Sequence, residues 1–142
     1  MKKINQGRLL LGAVVGGVAW GVWSWVVNAV LFSSDLRQAQ DANLLLQSPR
    51  YPFFLPLWFL LLILLTYVLT WFYTGMREVF LPGPKTALAV GILGGFAIAF
   101  PLSFAVAAWV PLDRLVPLAW LVDLWVGAIL AAFLAAWLYR EG

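Results

Sequence analysis

Asp123 is an acidic residue set inside a long apolar stretch, between Trp120 and Trp125. A carboxylate in hydrocarbon needs a partner, a proton or a watery pocket, because an unpaired charge there is costly. Three kinds of chemistry suit it: hydrogen bonding between helices, proton or cation handling, and contact with a bound ligand or partner. The residue types that are missing narrow the field. The chain has no histidine and no cysteine, which removes the commonest metal ligand, the usual general base, thiolate metal sites and disulfides. No nucleophile–base pair or metal cluster can be assembled. Neither an enzyme nor a bound cofactor is expected, nor a histidine-ligated haem or chlorophyll inside this chain. The string Gly83-Pro84-Lys85-Thr86 imitates a phosphate loop. That motif needs glycine directly before the lysine and another five residues earlier, and Pro84 has no backbone donor to give.

The elements that must position Asp123 are membrane helices. Of 142 residues, 64% are apolar and 11% charged, against about 45–50% and about 25% in soluble domains. Four stretches, 8–32, 51–74, 86–109 and 118–139, exceed the roughly 18 apolar residues of a spanning helix. The expected fold is all-α: four transmembrane helices in a compact bundle, one domain over 1–142. Leu9 to Phe32 is too long for a signal-peptide core of about 7–15 residues. Ser33 to Gln47 reads as a short helix outside the bilayer, capped by Ser34 or Asp35. Pro49 opens span two, and Pro52 and Pro56 make its start irregular. Thr74 to Lys85 reads as a loop, with Thr86 capping span three, and Pro101 is expected to kink that span.

Small residues predict how the spans meet. Gly12 with Gly16, Gly17 with Gly21, and Gly91 with Gly95 are GxxxG pairs. Gly127 and Ala131 begin a stripe at the same spacing in span four. Residues four apart share a face, and glycine lets a second backbone approach closely, within the bundle or from a second copy. Nine tryptophans accompany them. Trp58, Trp71, Trp109, Trp120 and Trp137 fall near span ends and read as interface anchors. Trp20, Trp23, Trp25 and Trp125 lie deeper and suit packing.

Four spans place both termini and the 74–85 loop on one side. That side carries Lys2, Lys3, Arg8, Arg77, Lys85 and Arg140; the other carries Arg37, Arg50 and Arg114. The excess puts the termini in the cytoplasm. Asp123 then lies about 8 Å below the outer surface, at ~1.5 Å per residue. Asn28, Ser24 and Ser103 fall at similar depth on spans one and three. Polar groups in membrane helices turn away from lipid. A shared cluster of Asp123, Asn28, Ser24 and Ser103 is therefore expected, with Arg50 or Arg114 reaching down as a counter-ion.

The segment Leu81-Pro-Gly-Pro-Lys-Thr-Ala-Leu88, with Ala136-Trp-Leu-Tyr-Arg-Glu141 and Val27-Asn-Ala-Val-Leu31, resembles a group of small, uncharacterised four-span proteins of the bacterial inner membrane. The resemblance implies that location and fold, and brings no activity, cofactor or site residue. The functional expectation is a structural or accessory subunit of a larger membrane complex. The alternative is a small transporter or channel that uses Asp123. Expected partners are the lipid bilayer and either other membrane subunits or a second copy. Nucleic acid is not expected, because the net charge of +3 sits at span ends.

Overall fold

The computed structural model describes residues 4–139, and every regular element among them is helical. Helix α1, Gln6–Val26, starts where the Asn5 side chain accepts a hydrogen bond from the Arg8 N–H at 3.1 Å. It ends in a π-turn, Val27–Leu31, closed by the Phe32 N–H donating to the Val27 carbonyl at 2.9 Å. The short helix α2 covers Ser33–Asp41, and three long helices follow: α3 Phe54–Phe80, α4 Pro84–Trp109 and α5 Leu115–Leu138. Four helices are long and apolar enough to cross a membrane, so the chain is a multi-pass membrane protein. At ~1.5 Å per residue, the 27 residues of α3 reach about 40 Å, more than the ~30 Å hydrocarbon core. Its ends therefore stand in the headgroup layers.

Several boundaries differ from those read in the sequence, each for a local reason. Span two begins at Phe54 rather than Tyr51, leaving Pro52 outside and Pro56 in the first turn, where a missing N–H costs nothing. It continues through Arg77 and Glu78 to Phe80 instead of breaking at Thr74. No proline stops a helix before Pro82, and one glycine does not suffice. Thr86 does not cap α4: Gly83 holds the cap position, Pro84 is the first helical residue, and the Thr86 hydroxyl donates to the Leu81 carbonyl at 2.7 Å. That bond pins a turn in which Leu81 adopts φ 69°, a costly value for a branched side chain. Ser34 and Asp35 do not cap α2 either, because the π-turn delivers the chain directly and Phe32 occupies the cap position. Helix α5 starts at Leu115, three residues early, where Asp113 Oδ1 accepts the Leu115 N–H at 2.9 Å. Helix α4 runs unbroken through Pro101, which lies exposed.

Helix α5 is the centre of the bundle. It packs against both α1 and α4, α1 and α4 do not meet, and α3 packs chiefly on α1 with smaller contacts to α4 and α5. The glycine stripes explain this order. Gly12 and Gly16 face Ala135 and Ala131 of α5, while Gly17 and Gly21 face Ile63 and Phe59 of α3. One helix thus meets two neighbours through two stripes set one residue apart. Gly91 and Gly95 place α4 against Ile129, Ala128 and Trp125, and Gly127 lies under the Trp20 ring. Ala131 is fully buried. These stripes are consumed within the chain and are not left for a second copy.

Candidate functional site

Asp123 is 3% exposed. It lies about 12 Å along the axis from Leu115 at ~1.5 Å per residue, deeper than the 118 start implied. One carboxylate oxygen, Oδ2, accepts two hydrogen bonds, from the Ser24 hydroxyl at 2.7 Å and from Asn28 Nδ2 at 2.9 Å. The other oxygen, Oδ1, is buried without a hydrogen-bond partner among the described residues. The Ser24 hydroxyl also accepts from Trp58 Nε1 at 3.3 Å. A single hydroxyl therefore ties α1 to both α5 and α3.

The π-turn sets the position of Asn28. The Ser24 carbonyl accepts from the Val27 N–H and from Asn28 Nδ2, the latter at 2.8 Å. The same amide nitrogen reaches the aspartate. A widened turn rearranges the backbone carbonyls, and such turns recur at functional positions. Nothing in Val27-Asn-Ala-Val-Leu31 announces it, since β-branched residues and alanine fit ordinary α-helix as well.

Of the residues expected to cluster, the structure brings together Asp123, Asn28 and Ser24. Ser103 is buried on α4 but makes no hydrogen bond to the other three. The packing order is consistent with this, because α1 and α4 do not meet and the carboxylate is engaged from the α1 side. The expectation of an arginine counter-ion is likewise corrected. Arg50 sits exposed in the 42–53 linker and Arg114 exposed before α5, and neither pairs with Asp123. A guanidinium at the membrane surface gains more from water and headgroups than from descending about 12 Å along a helix. Of the positive charges used for orientation, Lys2, Lys3 and Arg140 lie outside the described residues.

Tryptophans supply what the sequence reading missed. Trp20 Nε1 donates to the Asp123 carbonyl at 3.2 Å and Trp23 Nε1 to the Val122 carbonyl at 3.2 Å. Trp125 Nε1 donates to the Ile92 carbonyl at 3.1 Å. Trp58, read as an interface anchor, instead joins the cluster. One signal for this was present. Gly127 is four residues after Asp123, so no side chain shields the carbonyl of Asp123, and a large indole on α1 can lie over it. The exposed Trp71, Trp109 and Trp137 fit the anchoring expectation.

Chemically the site is a buried hydrogen-bonded knot. Asp123, Ser24 and Asn28 line neither the cavity of about 530 Å³ beside the 81–83 turn nor the cleft of about 390 Å³ on α3. The described residues hold no group of three or more acidic, histidine or cysteine side chains suited to a metal ion. Comparison with protein-family models, with curated proteins and with solved structures gives no match.

Proposed function

We propose that the chain is a structural or accessory subunit of a larger complex in a bacterial inner membrane, with both termini in the cytoplasm. The observation that carries this reading is the use of Asp123. One carboxylate oxygen accepts from Ser24 of α1 and from Asn28 of the π-turn that follows it, and the same Ser24 hydroxyl holds α3. A polar group spent inside the fold stabilises a rigid shape. The outer surface is available for partners. On α4, Phe96, Phe100 and Phe104 stack as a ladder with centroids 5.0 and 5.8 Å apart. On α3, Phe54, Leu57, Trp58 and Leu61 line an apolar cleft of about 390 Å³.

Purification from native membranes in mild detergent tests the proposal. Defined membrane proteins are expected to co-purify reproducibly with the full chain. A photo-crosslinker at Phe100 or Leu57 is expected to join one of them. Recovery of a free monomer alone, with no crosslink at either position, overturns the reading.

One observation favours a second reading, a small transporter or channel. Asp123 Oδ1 is buried without a partner, and a carboxylate oxygen held in that way suits a transient proton or cation. Flux measured in proteoliposomes should then fall at least tenfold in Asp123→Asn, which keeps the size and the acceptor for Ser24 and Asn28. Unchanged flux in that variant removes Asp123 from any transport step.

A further inference from the structure

The 42–53 linker between α2 and α3 presents apolar side chains outward, at the end of the bundle away from the paired Asn5 and Tyr139. Leu46, Tyr51 and Phe53 are 60%, 57% and 55% exposed, and Leu44 is exposed as well. The segment is nonetheless firmly built. Asn43 adopts φ 58°. Around it the Leu44 N–H donates to the Ala39 carbonyl at 2.9 Å and the Asn43 N–H to the Gln40 carbonyl at 3.0 Å. These are the paired bonds of a Schellman closure of α2. Two glutamines then clamp the turn that follows. Gln40 Nε2 donates to the Leu46 carbonyl and Gln47 Nε2 to the Gln40 carbonyl, each at 3.0 Å.

In water a glutamine amide gains little by bonding its own backbone, because water competes for both groups. Where water is scarce the same bonds are stronger, and backbone groups near the membrane core must be satisfied internally. The clamp thus suits this backbone to a water-poor layer. The Tyr51 and Phe53 rings stack at 5.5 Å across Pro52, which puts both on one face. The aromatic run continues into the spanning helix, where Phe54 stacks on Trp58 at 5.7 Å and both line the apolar cleft. Tyr51 lies three residues before α3 begins, so within about 10 Å of its start at ~3.3 Å per residue. That start stands in a headgroup layer by the length argument above. Arg50, also exposed, directly precedes Tyr51. Aromatic rings and a cation at a span end form the pattern of interfacial anchors. Two spans already hold the linker at this surface. It therefore meets lipid at high effective concentration, with little translational freedom left to lose. A protein partner would first have to displace that lipid.

We propose that the 42–53 linker is seated in the headgroup layer of the membrane that the chain spans, with Leu46, Tyr51 and Phe53 at the acyl boundary. The occupant of this apolar patch is then the lipid surface. The inference rests on the chain spanning a membrane and is independent of whether it is a subunit of a larger complex.

The chain has no cysteine, so single thiols can be introduced for labelling. The test places a nitroxide on Leu46→Cys and on Phe53→Cys in the full chain. The purified variants are set in nanodiscs of phosphatidylcholine and phosphatidylglycerol. Leu57→Cys, within α3, serves as the lipid-facing reference. Both linker positions are exposed, so labelling should leave the bundle intact, which circular dichroism checks. Power saturation then compares collision with oxygen, which enters the bilayer, and with a water-soluble nickel chelate, which does not. The chelate should reach both linker labels about tenfold less often than it reaches free label in buffer, a partition of only about 1.4 kcal/mol against a polar solute. Oxygen should favour them, as it does at Leu57. Chelate collision at either position as frequent as with free label overturns the proposal. Protection that appears in native membranes but not in the nanodiscs overturns it too, because a protein then covers the patch.

Discussion

Trp20→Ala is expected to destabilise the bundle by about 3 kcal/mol, the low end of the roughly 3–5 kcal/mol seen for buried aromatic-to-alanine changes. Trp20 is fully buried, covers Gly127 and donates from Nε1 to the Asp123 carbonyl. In a membrane the loss is not one of transfer from water, since lipid tails are as apolar as a protein core. It is a loss of dispersion contacts around a void, together with one hydrogen bond. That is why the low end of the range applies. Unfolding of the purified protein in detergent, followed by titration with a denaturing surfactant, reads the difference. Trp20→Phe keeps most of the volume and loses the donor, so it should cost about 1 kcal/mol, near the usual net value of a hydrogen bond. If Trp20→Ala and Trp20→Phe are equally mild, the indole is not the keystone between α1 and α5.

How far the fold was legible follows from the physics of each feature. Spanning helices are long apolar runs, and the requirement for internally satisfied backbone in lipid leaves no competing structure. Four spans and the close-packing stripes could therefore be read directly. The order of helices around α5 was not legible, because a glycine pair announces a close approach without naming the neighbour. Gly12 and Gly17 look equivalent in the sequence, yet they face α5 and α3.

The same limit shaped the site. Depth can be counted along a helix, which is how Asp123, Asn28 and Ser24 come to be named together, and hydrogen bonds join them in the structure. Azimuth depends on packing, and Ser103, expected at the same level, is buried but makes no bond to the others. Trp58 was missed as a donor because an indole at a helix end satisfies the rule for interfacial anchors equally well, and Trp20, Trp23 and Trp125 because a deep indole suits apolar packing whether or not it donates. Trp58 shows that position along the helix does not reveal which way a ring turns.

The second large effect separates close approach from helix propensity with one chemical change at two sites. A Cβ added at Gly17 would lie 2.6 Å from Ile63 Cα and 2.9 Å from its backbone nitrogen. Those atoms belong to the main chain of α3 and cannot swing aside. Gly17→Ala must push α1 off α3, at a cost of about 2–3 kcal/mol, the upper range for overpacking. At Gly75 the same methyl meets nothing within 4 Å. Gly75→Ala should instead stabilise α3 by about 0.5–1 kcal/mol through the lower entropy of the unfolded helix. Opposite signs in the same denaturation assay are the expected result.

The consequence for the polar knot follows from geometry. Gly17 and Ser24 are seven residues apart, two turns of α1, so both address α3, and the Trp58–Ser24 bond is already long at 3.3 Å. Separating the helices at Gly17 should break that bond first and leave Ser24 and Asn28 on Asp123, because those bonds join α1 to α5. Indole N–H exchange should then speed up at Trp58 while remaining slow at Trp20. Equal acceleration at both indoles would mean that α1, α3 and α5 open as one unit, and that the knot is not built from two separable seams.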